Sequence, residues 1–178
     1  MLAIPTRLPY LEKATFGAGC FWGAEAAFRG VPGVTGTAVG YMGGTREHPS
    51  YRDVCTGLTR HAEVVEVIFD PGIISYPQLL DVFWTIHDPT THGRQGVDTG
   101  SQYRSAIFYN TPEQKTAAEA SREQAACSGR FEDPVVTEII PAKIFWRAED
   151  YHQRYYEKRG GSGCRIGKTL LTQKNHTP

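Results

Sequence analysis

A chain of 178 residues, 40% of them hydrophobic and 21% charged, is long enough to bury a core without disulfide staples, and this composition excludes disordered, collagen-like and coiled-coil classes. Nineteen Lys and Arg balance nineteen Asp and Glu, so no basic excess is offered to a nucleic acid or an anionic membrane. No apolar run approaches the roughly 18 residues that span a bilayer, and the N-terminal stretch, broken by Pro5 and Pro9, lacks the basic-then-apolar layout of a secretory signal. The expectation is a soluble, cytoplasmic, monomeric protein. Its four cysteines would then sit in a reducing compartment where structural disulfides are unusual.

In chain order, residues 1–12 read as an extension and residues 13–18 as a short strand. Gly19-Cys20 then turns into a helix over FWGAEAAF, which Gly30 and Pro32 stop. Residues 34–41 suggest a strand. Residues 61–69 (HAEVVEVIF) are apolar on both faces, as a central strand is, and Asp70-Pro71-Gly72 ends them. Ser75 to Gln78 forms a capping box with Pro77 in the first turn, and the helix that follows carries Leu79, Leu80, Phe83, Trp84 and Ile86.

Residues 103–109 read as a strand, and Thr111 to Gln114 as a second capping box for a helix ending near Ser128-Gly129. Residues 135–140 read as another strand. Residues 148–159 read as a helix with Tyr151 and Tyr155 on one face. The tail from Gly160 to Pro178 begins Gly-rich and is expected to be mobile. Strands alternating with helices predict an α/β (α+β) fold in a single domain over 1–178. Two long loops, 43–60 and 87–102, are where function tends to lie.

Cys20 sits where a strand turns into a helix. The partial positive charge and free N–H groups of a helix N-terminus predict a thiol with a lowered pKa. An ordinary thiol near about 8.5 is only a few per cent ionised at pH 7, and a fall of roughly 1.5 units ionises about half. The alternative is a buried, inert cysteine packed as a small hydrophobe. Cys164, in a Gly-rich run, suits disulfide exchange in which one sulfur swings onto another; the alternative is an incidental surface thiol. Cys55 and Cys127 read as structural. With no C-x-x-C or H-x-x-x-H pair, a metal site is not expected. Gly17-Ala-Gly19 fails the dinucleotide fingerprint because Trp22 takes the third glycine's place. Ser162 to Thr169 fails as a phosphate loop because Ser162 replaces its first glycine. Glu63 opens the central strand on the face of Val65, Val67 and Phe69, where apolar surroundings raise a carboxyl's pKa; otherwise it is a strand-end charge in solvent. Tyr51 closes the first long loop, and Asp98 and Tyr103 close the second.

Taken together these runs resemble the type A peptide methionine sulfoxide reductases. The run Gly19 to Glu25 (GCFWGAE) is similar to that family's active-site signature. Gly40 to Gly44, Tyr51 to Val54, His61 to Glu63, His87 to Pro89, Arg94 to Gly96 and Gly100 to Ala106 follow in the family's order, so the likeness covers roughly residues 13–167. The resemblance implies a two-layer sandwich around a mixed sheet with flanking helices and a ferredoxin-like core. Cys20 would be the nucleophile, with Phe21 and Trp22 as an apolar pocket for the S-methyl group. Glu63 would give a proton to the sulfoxide oxygen, Tyr51 and Tyr103 would hydrogen-bond it, and Asp98 would help place the substrate. Cys164 would resolve a Cys20 sulfenic acid. The substrate would be the S epimer of methionine sulfoxide, free or in oxidised proteins under repair. Thioredoxin would be the external reductant, with no bound cofactor.

The chain departs from the family where Gly163 replaces the aromatic common before the resolving cysteine. It has no further cysteine downstream, and Arg60 stands where a small residue is frequent. Two other classes stay open at this point: a cysteine hydrolase or acyl transferase using His61 or His152 as base, and a non-enzymatic redox sensor.

Overall fold

The computed structural model describes residues 10–160. Strand β1 (Glu12–Ala18) leads through Gly19 and Cys20 into helix α1 (Phe21–Arg29) and then into β2 (Val34–Met42). A one-and-a-half-turn helix α2 (Tyr51–Cys55) precedes β3 (Ala62–Phe69), which leads to α3 (Tyr76–Ile86). A small hairpin, β4 (Arg94–Gln95) and β5 (Asp98–Thr99), precedes a 3-10 turn at Ser101–Tyr103 and then β6 (Ser105–Tyr109). Then come α4 (Pro112–Cys127), β7 (Glu138–Pro141), β8 (Trp146–Arg147), a 3-10 turn at Asp150–His152 and α5 (Tyr155–Lys158).

The main sheet runs β7-β6-β1-β3-β2-β8, antiparallel throughout except for the parallel β6–β7 pair. Taken alone, β1, β2, β3 and β6 lie in the spatial order fourth, first, third, second, which is the split β-α-β arrangement of a ferredoxin-like core. The mixed sheet with flanking helices agrees with the expected α/β class.

Periodicity explains which faces are buried. In α1, Phe21, Ala24, Glu25 and Phe28 recur at helical spacing and all turn inward. In β3, Val65, Val67 and Phe69 meet Phe28 of α1 and Leu79, Leu80 and Phe83 of α3, while Ala62 and Val64 line the opposite face with Phe108 and Met42. Phe16 is the centre of this packing, stacked on Phe28 at 4.9 Å and on Phe83 at 5.4 Å between ring centroids. The apolar character of β3 on both faces follows from its place between β1 and β2.

Three local expectations change. Thr111 does cap α4 through the Gln114 N–H, but the Gln114 side chain serves the Asn110 N–H (2.9 Å) and the Lys13 carbonyl (2.7 Å) instead of closing a box. The strand expected over 135–140 is Glu138–Pro141, placed by its pairing with β6. Residues 148–159 are not one helix. Arg154 adopts a left-handed conformation, φ 51°. Its N–H donates to buried Glu25 (2.8 Å), while Gln153 bridges Val39 and Ala148, so tertiary partners outcompete the helical ladder. Cys164 and most of the expected tail lie outside the described residues.

Candidate active site

The site is built where β1 ends and β3 begins, because these antiparallel neighbours bring the two ends together. Gly19 turns the chain with φ +82°, and a Cβ there would stand 2.5 Å from Cγ of Gln95. The Gln95 amide is itself locked to the backbone of Asp88 by two hydrogen bonds, so the neighbour cannot yield. Gly19→Ala is therefore expected to cost about 1–3 kcal/mol, read as a lowered midpoint in denaturant unfolding.

Cys20 is the N-cap residue of α1, half-buried and not in a disulfide. Its thiol does not behave as the helix-terminus argument alone predicts. Burial strips water from the anion and pushes the pKa up to about 11. The N–H groups of Trp22 and Gly23 pull it down, but the Glu63 and Asp98 carboxylates nearby push it up again. The expected thiolate is corrected accordingly: desolvation outweighs the helix dipole, and the resting sulfur carries its proton at neutral pH.

Glu63 is 2% exposed. Its Oε2 accepts the Phe21 N–H at 3.1 Å, one residue from Cys20. Burial raises its carboxyl to about 8, with the Phe21 N–H opposing and Asp98 assisting, so Glu63 is largely protonated at pH 7. It is therefore not a strand-end charge in solvent but a buried carboxyl held beside Cys20 with a raised pKa.

The remaining expected residues converge here. Phe21 is buried against Tyr41, and Trp22 is half-buried at the surface of α1. Tyr51 is the first residue of α2. Burial, a hydrogen bond with the Cys55 thiol and the Glu63 carboxylate all raise its pKa. Burial also raises Tyr103, to about 12, with Glu63, Asp98, Cys55 and Cys20 all adding to the rise. Both phenols therefore stay protonated and able to donate. Asp98, in β5, is close enough to influence Cys20, Glu63 and Tyr103.

Several participants were not anticipated. Cys55 is exposed yet close enough to help raise the pKa of Tyr51, four residues earlier on a helix too short to show periodicity. Trp22 is gripped on two sides: Tyr155 stacks on it at 3.7 Å and 3°, and its Nε1–H donates to His152 Nδ1 at 2.9 Å. His152 is 1% exposed and packed among Phe21, Trp22, Tyr51 and Tyr151.

Neither histidine considered as a base for acyl transfer is free for that task. The His61 ring meets the Gly44 N–H (3.0 Å) and the Arg46 carbonyl (2.7 Å), fastening the first long loop. His152 commits Nδ1 to Trp22. Among the described residues, no group of three or more His, Cys, Asp and Glu side chains is arranged to hold a metal ion, and no helix is long and apolar enough to cross a membrane.

The family model for peptide methionine sulfoxide reductase matches residues 12–177. The peptide methionine sulfoxide reductase MsrA of Methanoculleus marisnigri is 64% identical over 155 residues, 87% of this chain and 94% of that one. Among solved structures, reduced Mxr1 of Saccharomyces cerevisiae has a TM-score of 0.80 and 34% identity, covering 88% of this chain and 90% of its own. Methionine sulfoxide reductase A of Corynebacterium diphtheriae has a TM-score of 0.77 and 39% identity, covering 89% and 79%. Mxr1 in complex with Trx2 shares the fold with a TM-score of 0.58 and 24% identity, covering 85% and 91%. With a family match over residues 12–177 and relatives at 60% identity and above, this chain belongs to the peptide methionine sulfoxide reductase family, MsrA type, and is an oxidoreductase.

Proposed function

We propose that this reductase takes the S epimer of methionine sulfoxide, free or in oxidised proteins, and returns methionine through a Cys20 sulfenic acid and a Cys20–Cys164 disulfide. A thioredoxin then reduces that disulfide. The observation that carries the reading is the Glu63 carboxyl, buried and anchored on the Phe21 N–H next to Cys20, where burial raises its pKa to about 8.

A sulfoxide sulfur accepts a nucleophile only when its oxygen is neutralised. Glu63 supplies a proton to that oxygen, and Tyr51 and Tyr103 add two donors in the manner of an oxyanion site. The polarised substrate brings positive character to its sulfur, which offsets the missing hydration of the Cys20 anion as the thiol gives up its proton. Cys20 Sγ bonds to the sulfoxide sulfur as its S=O becomes S–OH; the hydroxyl then passes to Sγ while the S–O and S–S bonds break, and the electron pair left on the departing sulfur makes it a thioether. The thiol's proton replaces the one Glu63 gave. The balance is Cys–SH plus sulfoxide to Cys–SOH plus thioether: the sulfoxide is reduced and Cys20 oxidised by two electrons. The Cys164 thiol then attacks the sulfenic sulfur, releasing water and forming the disulfide. A dithiol reductant exchanges with that disulfide and leaves both thiols reduced. The complex of Mxr1 with Trx2 supports a thioredoxin in this role.

Epimer selection follows from three fixed directions. The methyl group lies on Phe21 and Trp22, the oxygen turns to Glu63 and the phenols, and the remaining chain leaves toward solvent. Only one hand then presents its sulfur to Cys20, and the S epimer is the one the family resemblance implies. Asp98 places the substrate from the second loop. The enzyme is read as one monomeric catalytic domain working in the cytoplasm, where thiols stay reduced.

The test is a single-turnover assay with resolved epimers, dimedone trapping and thioredoxin. The S epimer is expected to react about 10²-fold faster than the R epimer or more, since misplacing a reacting centre costs that much. Cys164→Ser should release about one equivalent of methionine per enzyme and accumulate a dimedone adduct at Cys20. Equal rates for both epimers, or an acyl adduct in place of the sulfenic acid, would overturn the reading.

A further inference from the structure

The donor on the oxygen side and the wall on the methyl side share one anchor. Glu149 lies between β8 and the 3-10 turn at Asp150–His152. Its Oε1 accepts the Tyr51 N–H at 2.7 Å, the first N–H of α2. Its Oε2 accepts the Tyr41 O–H at 2.9 Å and stands 3.8 Å from His152 Nε2. Tyr41 in turn pairs across the sheet with Glu63. Burial works against the charged form of Glu149, yet its donors hold the carboxyl below the usual range.

The tautomer of His152 links this carboxylate to the pocket. The Trp22 indole can only donate, so Nδ1 of His152 must be bare to accept. The proton of the neutral ring then sits on Nε2, the nitrogen that faces Glu149. That nitrogen is buried and has no hydrogen-bond partner of its own. A carboxylate facing it favours the Nε2–H tautomer, as outer carboxylates do for histidines at metal sites. The other tautomer, or a charged ring, would set two N–H groups against each other and release Trp22.

We infer that Glu149 is the positioning residue of the substrate pocket, holding Tyr51 through its backbone and Trp22 through the tautomer of His152. This rests on reading Tyr51 and Trp22 as substrate contacts. Glu149→Gln keeps the shape and one acceptor but turns an amide N–H₂ toward Tyr41 and His152.

The methyl wall acts on substrate and transition state alike. The variant is therefore expected to raise KM for methionine sulfoxide about tenfold, the equivalent of one hydrogen bond, with a smaller effect on kcat. The Trp22 indole N–H proton resonance, assigned by its loss in Trp22→Phe, should move upfield while the protein stays folded. An indole resonance that stays in place in folded Glu149→Gln overturns the inference, whatever turnover does. Where that variant fails to fold, the ¹⁵N shifts of His152 in the unaltered enzyme decide: a protonated Nε2 and bare Nδ1 support it, and the reverse tautomer overturns it. A Trp22→Phe enzyme with unchanged KM would sink the pocket reading instead and leave both resonance results standing.

Discussion

Cys20→Ser is expected to lower turnover of a methyl sulfoxide by about 10⁴-fold or more, because the acid and the phenols then have no nucleophile to serve. Serine is close in size and fits the same N-cap position, so its unfolding midpoint should stay within a few degrees of the parent. The oxygen differs from the sulfur in two ways that matter here. It is a harder nucleophile toward sulfur, and its proton is far less acidic than even a thiol raised to about 11. No sulfenic acid can form, so dimedone should label nothing at position 20. The pH dependence of alkylation offers an independent check. Iodoacetamide should react slowly with resting Cys20 at pH 7 and faster as pH approaches about 11, and rapid labelling at neutral pH would contradict a desolvated thiol.

Glu63→Gln carries the second large effect. General acids contribute about 10²–10⁴-fold, and the single-turnover rate should fall by that range. In the unaltered enzyme the acid must hold its proton, so the rate should decline tenfold per pH unit above about 8. The glutamine variant should lose that alkaline limb. Stability shifts in the opposite sense. A carboxyl raised from 4.5 to about 8 binds more protons in the folded than in the unfolded chain, so its contribution to stability falls as pH rises from about 4.5 and levels off above about 8. Glu63→Gln has no such term. Its unfolding free energy relative to the parent, from denaturant titration, should climb across that window by up to a few kcal/mol. An enzyme that trades activity for stability at one buried position is a familiar outcome of active-site construction. A variant both slower and less stable at pH 9 would show that Glu63 is structural.

Much of this was legible in the residues because local and global signals agree. The two apolar faces of HAEVVEVIF, the capping box at Ser75 and the Gly19 turn each specify an element that the tertiary packing then uses. Glu63 could be singled out because a carboxyl amid Val65, Val67 and Phe69 has few reasons to be there. The resting state of Cys20 was misjudged because a helix terminus is visible in sequence whereas burial is not. The support behind Trp22 was hidden for a related reason. Glu149, His152 and Tyr155 look like an ordinary amphipathic helix, and only partners more than a hundred residues away, such as Trp22 and Glu25, pull the segment out of that form.

The register of β1 against β3 has a consequence for how this enzyme can be altered. Phe16 faces Val65 across the ladder, so Cys20 and Glu63 are spaced by backbone rungs and not by the loops that join their strands. Inserting or deleting residues in those loops leaves the reactive spacing untouched. A slip of a single rung would instead carry the carboxyl to the far side of the sheet. New termini cut into the surface stretch between α4 and β7 would therefore be tolerated far better than one extra residue between Phe16 and Cys20.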